Sequence, residues 1–365
     1  MNWDNLHKLI DTYEERFYEI NNSDHDEIFK WRAAKTFRDA WFSESLNKKP
    51  FSERFNYAKK DFQNIMDNSF ISPSTGVVKL AEKEQETVEK LFTDVLFKED
   101  NNDVVLRQQH IEEFIDGMDK LRQKYYPQSH MYKQDPHAAS IYLAFYAPDI
   151  NYIYRYSEAE HFAQYIEYGK DIGSGKEFRL DYYYEMCDLI VKALKEHKSL
   201  LEKHFAFLNE KTLKDESLHL LAFDLMYCSR AYNFFLGLEH ISKKESIKAF
   251  SEEQAKEKER QEKEEKKNEI KQKIFELEKR AEELSQISLI NVEVIHHVYG
   301  KGIVVEQEKN HLTIRFGSCE KTFVIHERYI GRPVFEDDEK IIQAMTEYGD
   351  ICEEMDDLKE SLRWI

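Results

Sequence analysis

The stretch GKDIGSGKEF, residues 169–178, is the segment that comes nearest to a phosphate-binding loop. Such a loop needs Gly, four residues, then Gly-Lys followed by Ser or Thr. Here five residues separate Gly169 from Gly175, and Glu177 stands where a magnesium-binding hydroxyl is required. The preceding residues have helical rather than strand periodicity. We therefore interpret the segment as a turn, and the sequence predicts no nucleotide and no other cofactor.

Residue types that ligate metals or act as nucleophiles are scattered along the chain. The cysteines are Cys187, Cys228, Cys319 and Cys352. They form no CxxC pair, which argues against a zinc ribbon or a disulfide framework. His296 and His297 are adjacent, but alternate strand positions would place them on opposite faces. The sequence predicts free thiols, no catalytic residue and no set of metal ligands.

Asp224 is the one carboxylate that stands out by its surroundings, because the sequence around it, LLAFDLMYC, is almost entirely apolar. A buried carboxylate must be paired, hydrogen-bonded or neutralised. We predict that Asp224 is paired for structural reasons, with an arginine such as Arg155 or Arg230.

The composition indicates a folded, acidic and mostly helical protein. The 365 residues include 24 Phe and 21 Tyr but only 11 Gly and 6 Pro, which favours long helices over tight turns. The formal net charge of −18 opposes strong non-specific binding of nucleic acid by the whole chain. The acidic N-terminal segment lacks the pattern of a signal peptide, and no apolar stretch predicts a membrane span. We expect a cytoplasmic protein with no membrane partner.

Residues 1–250 are predicted to form a helical α+β recognition domain, called the head. Apolar residues recur at spacings of three and four over most of it, beginning with Trp3, Leu6 and Ile10. Residues 139–156, ASIYLAFYAPDINYIYRY, instead alternate in steps of two around a proline-containing turn. This pattern predicts a β-hairpin.

The predicted hairpin is rich in tyrosine. Such a face is compatible with core packing in which each hydroxyl reaches a polar partner, with a platform for stacking bases, or with a protein-contact surface. The candidate binding residues of the head are Tyr142, Tyr152, Tyr154, Arg155 and Tyr156.

Residues 251–289 are predicted to form a charged helical linker. More than two thirds of residues 252–283 are charged, and Glu–Lys pairs four residues apart stabilise such a helix. From Ile270 to Leu284, apolar residues recur every three or four positions, as in a short coiled coil. Two interpretations are open: a solvated spacer whose end docks on its neighbour, or a homodimer formed through residues 270–288.

Residues 290–365 are predicted to form a small SH3-like β-barrel followed by an acidic helix. The segments YGKGIVV, LTIRF and KTFVI are short, β-prone and separated by turn residues. The candidate binding residues of this barrel are His297, Tyr299, Lys301, Arg315, Phe316 and Lys321. The predicted fold class is therefore α+β and mostly helical, with a small hairpin or sheet, a long charged helix and a C-terminal SH3-like barrel.

The run around His297, Tyr299, Gly300 and Gly302, continuing into LTIRF and KTF, resembles the small Tudor/SH3-like domain at the C-terminus of UvrD/PcrA-type DNA helicases. In those helicases the domain docks polymerase and nucleic acid and has no chemistry of its own. The resemblance implies a docking module of about 45 residues. The helicase motor is absent from this sequence, so the partner does not carry over.

Three segments of the head, FKWRAAKTFRDAWF (29–42), residues 140–163 and LHLLAFDLMYC (218–228), are similar to the N-terminal region of McrB-like restriction ATPases. In that group the region serves recognition ahead of a GTPase motor. The similarity implies a recognition part that works with a separately encoded motor or nuclease protein, with nucleic acid, or with both.

We interpret the chain as a non-catalytic recognition or adaptor protein that binds nucleic acid or a protein partner. A bacterial DNA-restriction or anti-phage setting is what the two resemblances imply. Two alternatives stay open. One is a metal-dependent nuclease whose carboxylates are dispersed through the head, and the other is an oligomeric scaffold joined through residues 270–288.

Overall fold

The computed structural model describes residues 1–62, 65–68, 70–308, 311–324, 334–335 and 339–364. The chain divides into two compact units, Met1–Glu252 and Glu253–Ile365. The described part of the first unit is helical, and the second combines helices with a small antiparallel sheet. The predicted class, α+β and mostly helical, is therefore confirmed. Among the described residues, no helix combines the length and hydropathy that crossing a bilayer requires.

Short and medium helices make up most of the first unit. They are α1 (Trp3–Glu15), α2 (Phe17–Ile20), α3 (Phe29–Phe42), α4 (Glu44–Asn47), α5 (Phe51–Ala58), α6 (Pro73–Lys90), α7 (Val104–Tyr125), α8 (Pro136–Tyr146), α9 (Tyr156–Tyr165), α10 (Leu180–Leu194), α11 (Lys198–Phe207) and α12 (His219–Ala231). A longer helix, α13 (Lys243–Ser285), begins in the first unit and ends in the second. Most of the segment predicted as a linker, residues 251–289, therefore belongs to one continuous helix.

Aromatic rings dominate the core of the first unit. Helix α3 packs against α5 and α8, and α8 packs against α7. The rings of Phe37 and Trp41 on α3 stack with centroids 4.6 Å apart, and Tyr142 on α8 lies nearly parallel to Phe37 at 6.3 Å. Phe92, from a π-helical turn that follows α6, meets Tyr142 at 5.2 Å. Burying one such ring is worth about 1.5–3 kcal/mol, so this cluster is a main source of stability.

The β-hairpin predicted for residues 139–156 is wrong, because its first half is helix α8. Pro136 occupies the first turn, and the Asp135 carboxylate accepts a hydrogen bond from the Ala138 N–H at 2.8 Å. Eight consecutive residues from Ala138 are buried, so the helix has no polar face. The alternation in the sequence was between aliphatic and aromatic side chains, not between buried and exposed ones, and it therefore did not indicate a strand.

The second unit contains an antiparallel sheet. Its strands are β1 (Glu293–His296), β2 (Gly300–Glu308), β3 (His311–Phe316), β4 (Cys319–Val324) and β5 (Val334–Phe335). They lie in the order β4-β3-β2-β1-β5. A barrel requires the two outermost strands to pair. In the described residues β4 and β5 stay at opposite edges, so the sheet is not closed and the predicted SH3-like barrel is not confirmed.

One face of this sheet carries a small apolar core. Val304 and Ile314 lie opposite each other on β2 and β3 and are fully buried. Gly302 lies beneath the ring of Phe316, and a Cβ atom there would come within 2.6 Å of that ring. Position 302 therefore requires glycine, because the Phe316 ring packs too close to the backbone to leave room for a side chain.

The apolar seam of α13 is covered within the chain. Helix α14 (Glu339–Trp364) contributes Tyr348 and Ile351 to the same core that buries Leu284. Of the two sequence interpretations, docking of the end of the charged helix on its neighbour matches this packing. A homodimer through residues 270–288 would have to compete with α14 for the seam, so the seam no longer argues for a second copy.

We predict that Asp135→Ala lowers the free energy of unfolding of the first unit by about 1 kcal/mol, because it removes the cap of α8. Urea denaturation followed by circular dichroism measures the change. Asp116→Ala, on the exposed side of α7, is the matched control and should shift stability by less than about 0.5 kcal/mol. Equal effects of the two substitutions would contradict the capping role.

Candidate functional site

Three of the four tyrosines proposed as binding residues of the head are buried. Tyr142, Tyr152 and Tyr154 each expose no more than 3% of their surface. Each hydroxyl donates to an internal acceptor, at 3.1 Å for Tyr142, 2.6 Å for Tyr152 and 3.1 Å for Tyr154. They are core residues with satisfied hydroxyl groups, so a base-stacking platform built from them is wrong. Tyr156 is exposed, and Arg155 forms an ion pair with Glu158 at 3.2 Å.

The candidate binding residues of the predicted barrel divide between the two faces of the sheet. Arg315 on β3 pairs directly with Ile303 on β2, and Lys301 lies two residues before Ile303. Because side chains alternate along a strand, these three share the exposed face. Arg315 also forms an ion pair with Glu320 at 2.8 Å.

The other face holds an aromatic cluster. Phe316 is 7% exposed, so it is a core residue and not a surface contact. The ring of Tyr299 lies 5.4 Å from Phe316, and the Lys321 ammonium lies 5.8 Å from the Tyr299 ring. The ring of His297 stacks on the ring of His296, with centroids 4.7 Å apart. The sequence predicted that these two side chains lie on opposite faces of a strand. This is wrong because β1 ends at His296, so His297 is not part of the strand. The six predicted residues therefore do not form one patch.

The segment that resembles a phosphate loop, residues 169–178, is an irregular loop after helix α9. Gly173 has a φ of +62°, and a Cβ atom there would lie 1.8 Å from the carbonyl oxygen of Glu177. Glycine is therefore needed for the turn itself. Lys170 binds Glu185 of α10. Both observations favour the interpretation of this segment as a structural turn.

Asp224 belongs to a buried ion cluster. The Lys30 ammonium donates to Asp224 Oδ1 at 2.6 Å and to Glu27, and all three side chains are almost fully buried. Tyr13 donates to Asp224 Oδ2 at 2.6 Å, and Tyr232 donates to Glu27 at 2.5 Å. The predicted structural pairing of Asp224 is present, but its partner is a lysine 194 residues away and not an arginine.

The electrostatics of the ion cluster keep Lys30 charged. Burial alone disfavours an ammonium, yet the charges of Asp224 and Glu27 outweigh it and raise the pKa of Lys30 above its ordinary value. Burial, together with the charge of Asp224, raises the pKa of Glu27 and that of Tyr13, so the Tyr13 phenol keeps its proton and donates it. The cluster therefore stays fully hydrogen-bonded.

Within the cluster, Glu27, Asp224 and Cys228 place one oxygen or sulfur atom each within 4.8 Å of one another, which is the spacing of a metal site. A metal would need the thiolate and two free carboxylates. Burial raises the pKa of the Cys228 thiol well above its ordinary value, and Lys30 already binds both carboxylates. These residues fit a resident lysine cation and do not fit a metal ion.

The first unit contains an open cleft of about 800 Å³, called the aromatic cleft. One wall is a single face of α3, and the other is the end of α11 with the segment that leads to α12. The lining residues are Lys35, Arg38, Asp39, Phe42, Phe205, Leu208, Asn209, Glu210, Thr212, Leu213, Lys214 and Glu216. Apolar groups and charges of both signs therefore meet in one groove.

Two phenyl rings are exposed in the aromatic cleft. Phe42 is 56% and Phe205 42% exposed, whereas most large apolar side chains of this unit are buried. The Arg38 guanidinium lies 5.0 Å above the Phe42 ring and donates to the carbonyl of Tyr146 at 2.5 Å. The cation and the ring are thus held in position before any ligand arrives, which lowers the entropic cost of binding.

Behind the cleft wall, the connection between α11 and α12 is fixed to α3. The Leu213 N–H donates to the Trp31 carbonyl at 3.0 Å, and Trp31 Nε1 donates to Asp215 at 3.3 Å. Burial raises the pKa of Asp215 to about 6. His204 packs against Trp31, and neither of its ring nitrogens has a hydrogen-bonding partner among the described residues. Burial lowers the pKa of His204 to about 4, so its ring is neutral at pH 7.

Comparison with known proteins found no matching family model, no matching curated protein and no matching solved structure. Evidence for a function of this chain therefore comes from the chemistry of the cleft and of its surroundings.

Sequence reasoning missed the aromatic cleft, although part of its signal is present in FKWRAAKTFRDAWF. In this helix Phe37 and Trp41 form the buried stripe, while Arg38 and Phe42 lie four residues apart on another face. An aromatic ring and a cation that lie together outside the buried stripe, as Phe42 and Arg38 do, indicate a second contact surface on the helix. The opposite wall, around Phe205, is more than 160 residues away in sequence and had no local signal.

We predict that Lys30→Met lowers the free energy of unfolding by about 3–5 kcal/mol, because it leaves two buried carboxylates without their cation. Chemical denaturation measures the loss. The control is Lys79→Met, which removes an exposed pair with Glu82 and should cost about 0–1 kcal/mol. A Lys30→Met protein as stable as the control would show that the cluster is not a stabilising unit.

We predict that His204→Leu weakens the acid dependence of stability. Folding lowers the pKa of His204 from 6.5 to about 4. The unfolded chain therefore binds a proton before the folded chain does, and stability is lost as the pH falls from about 6.5 towards 4. Between pH 7.5 and 5 this group should account for about 2 kcal/mol.

Urea denaturation at several pH values gives the free energy of unfolding of wild type and of His204→Leu. The contribution of His204 is the change with pH in the difference between these two free energies. His25→Leu, which replaces an exposed ring, is the control and should keep the wild-type dependence. Parallel curves for wild type and His204→Leu would refute the assignment.

Proposed function

We propose that this protein is a recognition adaptor, and that the aromatic cleft binds a segment of a partner protein that inserts an apolar side chain. The observation that carries the proposal is the exposure of Phe42 and Phe205 in one groove beside Arg38. Exposed apolar surface costs about 25 cal/mol per Å², so clustered exposed rings are typical of interaction sites. Burial of these rings by a partner would supply the binding energy.

The rim of the cleft suits a protein ligand better than a nucleic acid. Lys35, Arg38 and Lys214 are accompanied there by Asp39, Glu210 and Glu216, so the lining has no net positive charge. Nucleic acid binding is driven mainly by neutralising phosphates with cations. The formal net charge of −18 opposes it further. Mixed charges around an apolar centre are the usual anatomy of a protein–protein interface.

The second unit would supply a second docking surface in this proposal. The exposed face of its sheet presents Ile303, 44% exposed, between Lys301 and Arg315. The resemblance of this region to a Tudor/SH3-like docking domain supports the same role. The restriction or anti-phage setting, with a separately encoded motor or nuclease, also belongs to the proposal and is supported by the two sequence resemblances alone.

Neither alternative has a specific observation in its favour. Among the described residues, the carboxylates that come closest to a metal-dependent nuclease site are Glu27 and Asp224, and both are bound to Lys30. The helical seam that a scaffold would use packs against α14. An adaptor needs neither free carboxylates nor a free helical seam. It needs an exposed binding surface, and the aromatic cleft provides one.

We predict that peptides selected from a displayed random library against the full chain carry an apolar or aromatic anchor. Phe42→Ala and Phe205→Ala should each weaken the selected peptides at least tenfold, or about 1.4 kcal/mol, because truncating an aromatic anchor site removes the buried contact. Fluorescence anisotropy measures the Kd. Phe70→Ala removes a phenyl ring that is 84% exposed but outside the cleft, and it should leave the Kd unchanged.

Failure to enrich any peptide, or peptides that bind Phe42→Ala and Phe205→Ala as tightly as wild type, would contradict the proposal. A single-stranded oligonucleotide is tested in parallel. If the oligonucleotide binds and the two cleft substitutions abolish its binding, the ligand is nucleic acid and the protein-segment proposal fails.

A further inference from the structure

Two histidines from distant parts of the chain meet on the surface of the first unit. His7 lies on α1, and His197 lies directly before α11. The His7 Nδ1 and His197 Nε2 atoms are 2.8 Å apart, and the ring planes are inclined by 28° with centroids 5.1 Å apart. Both rings are partly accessible, with side-chain exposures of 36% for His7 and 15% for His197. We call these two residues the histidine pair.

Each ring of the histidine pair has a carboxylate at its outer nitrogen. Asp11 Oδ1 lies 3.4 Å from His197 Nδ1, and Glu196 Oε2 lies 3.9 Å from His7 Nε2. The order in space is therefore carboxylate, imidazole, imidazole, carboxylate. A carboxylate favours an N–H on the nitrogen that faces it, because that hydrogen can be donated to it.

This arrangement creates a conflict between the two inner nitrogens. A neutral imidazole carries one N–H and one lone pair. If both outer nitrogens carry the N–H, both inner nitrogens direct lone pairs at each other across 2.8 Å. Two lone pairs at hydrogen-bond distance repel. A neutral pair avoids this repulsion when one ring carries its N–H on the inner nitrogen and donates it to the other ring, but the donating ring then faces its carboxylate with a lone pair. A metal ion between the inner nitrogens would let both outer nitrogens keep their N–H.

We propose that the histidine pair is a binding site for a first-row divalent transition metal, with zinc as the representative ion. His7 Nδ1 and His197 Nε2 are the two protein ligands, and water completes the coordination. Imidazole suits zinc, copper and nickel, and metal-bound histidines almost always donate the other ring N–H to a carboxylate. Asp11 and Glu196 occupy those outer positions.

The geometry needs only a small adjustment to accept the ion. Zinc–nitrogen bonds of about 2.0–2.1 Å at a tetrahedral angle place two nitrogens about 3.3 Å apart. The inner nitrogens must therefore separate by about 0.5 Å from their present 2.8 Å. Neither ring is enclosed, and both outer carboxylates are more than half exposed, so side-chain rotation can provide this movement.

The surroundings also favour a dication. The site lies on a chain with a formal net charge of −18. Among the nearby charges, Glu14 is paired with Lys203 at 2.8 Å, and the Lys192 ammonium lies 5.9 Å from the Trp3 ring. The two carboxylates of the site carry the charge that a bound dication would neutralise. A bound metal would join α1 to the junction between α10 and α11.

The test is isothermal titration of the full chain with Zn²⁺ near pH 7.5, in a Cys319→Ser background that removes an exposed thiol. We expect one zinc per chain, with the affinity reduced at least tenfold in both His7→Gln and His197→Gln. His130→Gln, which replaces an exposed histidine elsewhere in this unit, should bind zinc as tightly as the background protein.

Asp11→Asn and Glu196→Gln provide a second, independent measurement if a histidine variant folds poorly. These exposed carboxylates only orient the ligands, so we expect a 10- to 100-fold loss of zinc affinity with an unchanged circular dichroism spectrum. No zinc binding by the background protein would overturn the proposal and leave the contact as a hydrogen bond between the two rings. Zinc binding that survives in either histidine variant would overturn it as well.

Discussion

The buried ion cluster around Lys30 is the constraint on which the rest of the first unit depends. An ammonium removed from water is tolerated only while its carboxylates and their hydrogen-bond donors stay in place. These partners come from α1, from the segment before α3 and from α12, so the cluster fixes α3 against both helices. The next residue, Trp31, binds Asp215 and Leu213 in the opposite wall of the aromatic cleft. The position of that wall against α3 therefore depends on keeping one buried lysine paired.

The sequence predicted the class of the fold better than its local elements. Composition and helical periodicity indicated a mostly helical α+β chain, because both signals average over many residues. The hairpin predicted for residues 139–156 is wrong, since the helix that forms its first half is buried on all sides and has no polar stripe from which its period can be read. Asp135 and Pro136 form a helix start signal that the structure confirms, and a signal of this kind is local enough to be recognised without a structure.

The sequence showed which side chains need a partner, but it did not show which residue that partner is. The apolar surroundings of Asp224 showed that it must be paired, but its cation comes from Lys30, 194 residues earlier in the chain. The seam from Ile270 to Leu284 likewise showed that α13 must be covered, and the cover is α14 of the same chain. The histidine pair brings together residues 190 positions apart. A pattern in sequence specifies which group needs a contact, whereas the fold decides which group supplies it.

The structural sites differ from the proposed functional sites in whether their side chains already have all the contacts that they require. Lys30 has every partner that its charge requires, so the ion cluster gains nothing from binding another molecule. Phe42, by contrast, is more than half exposed, and in the neutral histidine pair the ring that donates to the other has no N–H left for its own carboxylate. In our two proposals, an apolar anchor or a dication lowers the free energy by binding at these surface sites. Binding of a further molecule at the ion cluster would instead raise it, because the charges there are already paired.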